Sequence, residues 1–324
     1  MRKAWPLLLL VLPASGIALA ETIYVSSYEL DGGSSRLHRF DSAAPGSLLD
    51  ALEIDPPISY FSIEFDQSTG DLYAFEHYNC GIPECPLPYF DVARIDPFTG
   101  HSTSLEASGL QHFPFRDTEA DIHPVRREIR YFPSGVNASV SLSTLELQVE
   151  EDLDEPASIT GVAHASAVGG GGGIETFAIS SATWFGGGSF TLMRVGGPGG
   201  VPPASSGEVA IIGKGEVVGL IRGFDVSSSG TAYLVTMYDY DAPDGYHVEN
   251  RLYTIDLATA AVQEVGLIAM PGPYFYVNGI TVVPPGLGSG GVEVPALSRF
   301  GLGLMASLLI VSALLFRARS GQPS

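Results

Sequence analysis

The feature that most limits what this chain can fold into is a short unit that returns along it. An apolar strand ends in Asp, a polar turn follows, and Gly or Pro closes the turn. It reads Ser62-Ile63-Glu64-Phe65-Asp66-Gln67-Ser68-Thr69-Gly70 in one place and Val92-Ala93-Arg94-Ile95-Asp96-Pro97-Phe98-Thr99-Gly100 in another. Leu37-His38-Arg39-Phe40-Asp41 before Pro45-Gly46 is a further copy, as are Arg222-Gly223-Phe224-Asp225 before Gly230 and Leu252-Tyr253-Thr254-Ile255-Asp256. The strand-closing carboxylate caps the turn, and Gly supplies the backbone angle that reverses the chain. Such units predict an all-β fold of four-stranded units of ~40–60 residues, the size of propeller blades.

The units fall at about 58–107, 116–151, 157–213 and 217–268. The third is interrupted by Gly169–Gly173, Gly186–Gly188 and Gly196–Gly200. A fifth is split. Val277–Val283 is an inner strand with nothing after it, whereas Thr22–Val25, Leu37–Phe40 and Leu48–Ile54 have no inner strand before them. The expected fold is a β-propeller of five blades, closed by joining the terminal strands, with six blades as the alternative. A β-sandwich of similar strands is the competing architecture. The expected propeller spans 21–285.

The two ends read differently from this body. Residues 1–20 hold Arg2 and Lys3, the apolar run Leu7–Leu12, and Ala18-Leu19-Ala20 before Glu21. That is the layout of a secretory signal peptide, with a signal anchor as the alternative. Residues 286–293 are a Gly-rich linker. Its match to G-x-G-x-x-G follows a double proline and opens no helix, so it is no dinucleotide fingerprint. Residues 294–319 carry a weakly polar-to-apolar run, Phe300–Phe316, ahead of Arg317 and Arg319, and 320–324 form a short tail. At ~1.5 Å per residue the run spans a hydrocarbon core, and the arginines hold the end in the cytoplasm.

This division explains the composition. The whole chain has net charge −20 beside a positive mean hydropathy of +0.21. Leaving out both ends, the body keeps 11 basic and 35 acidic residues, about −24. A body this acidic has no electrostatic footprint for nucleic acid.

Val294-Pro295-Ala296-Leu297-Ser298-Arg299-Phe300-Gly301, followed by an apolar helix and an Arg pair, resembles the IPTL-CTERM sorting signal of Gram-negative bacteria. That signal is similar in layout to the PEP-CTERM tails handled by exosortases. Ala296 stands where the family has Thr, and Phe300 where it has Trp. The sorting motif is thus Val294, Pro295, Ala296, Leu297, Ser298, Phe300 and Gly301. The resemblance implies retention in the inner membrane with the body in the periplasm. Processing by an exosortase-type protease and transfer to the surface would follow. A plain tail anchor is the alternative. The body's turn units resemble those of uncharacterised secreted bacterial propellers in the broad WD40-like and NHL-like group, although the Gly-Trp-Asp signature is missing.

Candidate chemistry is sparse. Cys80 and Cys85 are expected to form a disulfide in an oxidising compartment, against a redox or metal role. Asp239, Asp241 and Asp244, with Glu249 beyond, precede Gly245 and could wrap a hard cation such as Ca²⁺, against a solvated hairpin loop. The acidic run Glu150–Glu155 reads as a solvated loop edge. In the repeat alignment His123 and His164 share a position with Asp66 and Asp225, and Glu64 matches Asp121 two residues earlier. Inner strands border the channel, so Glu64, Asp121, His123 and His164 are candidates for a polar or metal site there, against simple capping of strand ends. There is no G-x-S-x-G, Walker A or H-E-x-x-H sequence. The expected function is non-enzymatic: a surface or matrix component that binds a polysaccharide or protein. The alternative is a secreted lactonase-like hydrolase with a cation in its channel.

Overall fold

A computed structural model describes residues 20–29, 35–55, 60–77, 90–105, 119–132, 135–154, 158–166, 173–181, 188–243, 245–272 and 274–284. Residues 1–19 of the expected signal segment, Cys80 and Cys85, Asp244, the linker, the expected sorting motif and the apolar run 300–316 lie outside them. Among the described residues no helix is long and apolar enough to cross a membrane.

The described chain forms five four-stranded antiparallel sheets, the blades of a propeller. Strands β1 (Thr22–Glu29), β2 (Arg36–Asp41) and β3 (Leu48–Glu53) come first. The second blade is β4 (Tyr60–Asp66), β5 (Asp71–His77), β6 (Phe90–Ile95) and β7 (Ser102–Leu105). The third is β8 (Asp121–Ile122), β9 (Glu128–Tyr131), β10 (Ala138–Ser141) and β11 (Leu147–Val149). The fourth is β12 (Ile159–Ser166), β13 (Ile174–Ser181), β14 (Gly188–Val195) and β15 (Val209–Val217), so its last strand runs past the expected boundary. The fifth is β16 (Leu220–Val226), β17 (Ala232–Ala242), β18 (Gly245–Ile255) and β19 (Val262–Leu267). The last strand, β20 (Phe275–Val283), leaves this run and pairs with β1, giving the order β20-β1-β2-β3.

Burial falls from one side of each sheet to the other, and residue type follows it. All nine residues of β20 are buried, and its sequence is nearly continuous in apolar residues. At the opposite edge β3 and β19 show mostly exposed patterns and carry acids, a composition that discourages edge pairing. The core lies between blades. Ile63 and Leu72 pack with Tyr24 and Leu37. Phe75 and Val92 pack with Ile129 and Val140. Phe132 meets Val162 and Met193, Phe177 meets Phe224 and Leu234, and Val235 and Leu252 meet Val25 and Phe40.

The turn chemistry is the expected one. Asp41 Oδ1 accepts the N–H of Ala43 at 2.8 Å, and Asp66 Oδ1 that of Ser68 at 2.9 Å. Asp96 and Asp256 accept those of Phe98 and Ala258, each at 2.8 Å. These backbone bonds hold the Asp96 and Asp256 carboxyls below the ordinary range. Gly70 and Gly100 end their turns in the left-handed region, at φ +78° and +74°. Asp225 does not belong to this set. Its turn is capped two residues later by Ser227, whose hydroxyl accepts the N–H of Thr231 at 3.1 Å.

Glu150 corrects the reading of the acidic run as mere solvated edge. Arg130 is fully buried, and its Nη1 donates to Glu150 Oε2 and to Asn137 Oδ1, each at 2.6 Å. A buried guanidinium needs such partners. Asn137 is itself buried and donates to the Ala204 carbonyl at 2.8 Å. The Asn137-Ala138-Ser139 sequon is therefore a core element of the folded chain.

Candidate functional site at the innermost strands

Strands β4, β8, β12, β16 and β20 each stand at one end of their sheet, and they bond to one another through side chains. Thr281 Oγ1 of β20 accepts the Phe65 N–H of β4 at 3.1 Å. Asp121 Oδ2 of β8 accepts the His164 N–H of β12. Asp225 Oδ2 of β16 accepts the Val282 N–H of β20 at 2.6 Å. In each case one residue of a strand takes the N–H that follows the equivalent residue of another. The equivalent set is therefore Glu64, Asp121, Ala163, Asp225 and Thr281.

This register corrects the sequence alignment. Glu64 and Asp121 do match, but Asp225 joins them rather than Asp66. His164 stands one residue after that position. His123 stands two after it, opposite Asp66. Both of those residues cap turns: His123 Nδ1 accepts from Val125 at 3.3 Å and from Arg126 at 3.2 Å.

Glu64, Asp121 and Asp225 bring one carboxylate oxygen each within 4.8 Å of one another, all buried. Glu119 adds a fourth buried carboxyl, whose Oε2 accepts the Phe224 N–H at 2.6 Å. Its room comes from glycine: a methyl on Gly161 would stand 3.2 Å from Glu119 Oε2 and 2.9 Å from Phe224 Cβ. Glu119 is not among the candidate residues singled out from the sequence. Its partner is 105 residues away, and no local pattern announces it.

Among the described residues none of these four carboxyls pairs with Lys or Arg; the basic side chain beside them is His164. Burial raises all four. Glu64 rises well above the ordinary range, with the Asp225 and Asp121 charges adding to burial. Glu119 does likewise. Burial pushes Asp121 up to about 8 and Asp225 up to about 7, the latter helped by Asp121. With oxygens of Glu64, Asp121 and Asp225 this close together and out of water, the protonated forms are favoured.

The histidines stay neutral. Burial lowers His123 and His164 to about 3. His164 Nδ1 lies 2.8 Å from Asp121 Oδ2. That oxygen already accepts the His164 backbone N–H, so Nδ1 carries the ring proton and donates. This leaves Nε2 buried without a partner, beside His123 with ring centroids 5.1 Å apart. The contact is thus a neutral hydrogen bond rather than an ion pair.

The other acidic candidates lie elsewhere. Asp239 and Asp241 sit in a regular ladder, opposite Val248 and Tyr246. Asp239 Oδ2 accepts from the Tyr246 hydroxyl at 2.6 Å. The four-carboxyl cluster can do two things chemically. It can cross-link strands as hydrogen-bond acceptors, or three of its members can surround a hard cation with oxygens. Compared with known proteins, the chain matches no family model and no curated sequence.

Proposed function

We propose that this chain is an exported propeller, held at the membrane by its C-terminal segment and then sorted to the cell surface, where it binds rather than catalyses. The observation that carries the non-enzymatic part is the use already made of the clustered carboxyls. Each is buried, and Asp121, Asp225 and Glu119 accept backbone N–H groups from other blades. A general base or nucleophile needs a free, reachable oxygen. These oxygens join strands.

Other observations support the rest. Glu21, first after the expected cleavage point, is buried while Ala20 is exposed. The Glu21 N–H donates to Ser42 Oγ at 3.0 Å, and its carboxylate accepts from Tyr233 at 2.8 Å. A mature chain beginning there would keep both contacts. The pairing of β20 with β1 supports closure of the ring through a blade shared by both ends.

A second reading is favoured by one observation: the three clustered carboxylates come from three different blades. That is the convergence a cation-dependent hydrolase requires. A thermal melt with and without Ca²⁺ or Mn²⁺ separates the two. The binding reading expects the same melting temperature in about 1 mM of either metal and after chelation. A cation held at ~10 μM affinity would add roughly 2.7 kcal/mol at that concentration, a rise of several degrees. Such a rise, lost in Asp225→Asn, would replace the first reading with the second.

A further inference from the structure

Four of the five innermost strands carry a bulge at the same register. The extra residue is Phe61 in β4, Thr160 in β12, Arg222 in β16 and Asn278 in β20. Bulges re-aim a side chain and end regular pairing, which is why they gather beside functional sites. Strands β12, β16 and β20 are neighbours at this level. A methyl on Gly161 would meet Phe224, and one on Gly223 would stand 2.5 Å from Ile280. Thr160, Arg222 and Asn278 thus occupy matching places on three adjacent strands.

Arg222 stands out among the basic residues. The half-buried Arg39, Arg127 and Arg194 each face a carboxylate, as does the buried Arg130. Arg36 lies over the Phe275 ring at 5.4 Å. Among the described residues Arg222 makes no ion pair; its Nε is closed off from solvent without a partner, as are those of Arg130, Arg194 and Arg251, which have carboxylates at their guanidinium ends. This occurs in a chain with 36 acidic residues against 16 basic ones, where a counter-charge is easily supplied. Asn278 is 8% exposed, and its amide makes no hydrogen bond among the described residues. The Thr160 hydroxyl is already used, donating to the Ile179 carbonyl at 3.2 Å. The Asn278 amide keeps some access to solvent, whereas the Arg222 Nε is a sealed donor without an acceptor, a costly state that native folds keep where something else supplies the acceptor.

The geometry points to a carboxylate-binding subsite built on these bulges, with the Arg222 guanidinium as fork and the Asn278 amide as additional donor. A planar guanidinium matches a carboxylate in charge and in spacing. The ligand class is a small molecule, or a polymer unit, bearing a carboxylate. The inference rests on the binding reading but fails separately from it, since the metal melts do not involve Arg222.

The test uses the full chain labelled with ¹⁵N-arginine and acetate as probe, at roughly 0.15 M salt so that long-range repulsion is screened. The Arg222 Nε–H resonance is assigned by its absence in Arg222→Lys. Acetate should shift it saturably, with a dissociation constant in the range of about 1–10 mM. Asn278→Ala should weaken that binding roughly tenfold. Acetamide, the neutral analogue, and chloride should leave the resonance in place. No saturable shift by about 100 mM acetate, or an equal shift with acetamide or chloride, overturns the subsite. If either variant lowers the melting temperature, the comparison of acetate with acetamide on the wild-type chain still decides.

Discussion

Burial raises the clustered carboxyls together, and this has a consequence in pH. The raised carboxyls bind protons in the folded chain that the unfolded chain has released. Their contribution to stability is full below the ordinary carboxyl value near 4 and is lost as pH rises through about 7 for Asp225 and about 8 for Asp121. Asp96 and Asp256 act in the opposite sense, losing their contribution only as pH falls through their lowered values. Between pH 5 and 9 the buried His38, His123 and His164 also contribute, gaining as pH rises through the ordinary histidine value, so the cluster is read from the difference between wild type and a variant that keeps these histidines. Glu64→Gln removes one of the mutually repelling carboxyls while keeping the side chain's shape. Thermal melts should show this variant more stable than wild type at pH 9, by at least ~3 °C, and no more stable at pH 5. Parallel pH profiles for the two proteins would refute the raised Glu64 carboxyl. Glu64 and Asp121 were legible as a pair because both stand on strands with recognisable ends. Asp225 was misplaced by two residues, because Ser227 rather than Asp225 begins its turn.

At the scale of elements, the strand–Asp–turn–Gly unit carries most of its information within nine residues, so it was readable without a partner strand. What it leaves out is how tightly each turn meets its neighbour. Gly70 and Gly100 occupy equivalent left-handed positions, yet their surroundings differ. A methyl on Gly70 would meet nothing within 4 Å, whereas one on Gly100 would lie 2.1 Å from the Glu53 carbonyl oxygen of β3. Gly70→Ala should therefore cost about 1 kcal/mol, the backbone penalty alone. Gly100→Ala should cost clearly more, about 2–4 kcal/mol, because the next blade has to move. Denaturant melts of the two variants give the comparison directly. Equal losses would mean that β3 yields freely and that packing between these blades is loose. The acidic run at 150–155 teaches the same point. Its charge pattern was plain, but that Glu150 turns inward depends on a buried arginine twenty residues earlier.

At the scale of the whole molecule, the expected export and sorting give a prediction of mass. Intact protein released from the cell surface should begin at Glu21 and lack the segment after Pro295. Recovery of a surface form still carrying Arg317 would defeat the sorting proposal. The sequence by itself carried the all-β class, a count of five blades with six as the alternative, the split blade, and the turn caps at Asp41, Asp66, Asp96 and Asp256. These depend on periodicity and on contacts a few residues apart, which the order of residues encodes directly. Only the tertiary structure decided the composition of the cluster and the row of bulges. Glu119 meets Phe224 across 105 residues, and Thr281 meets Glu64 across 217. Such meetings are set by the spacing and register of neighbouring blades, and no stretch of chain contains that information alone.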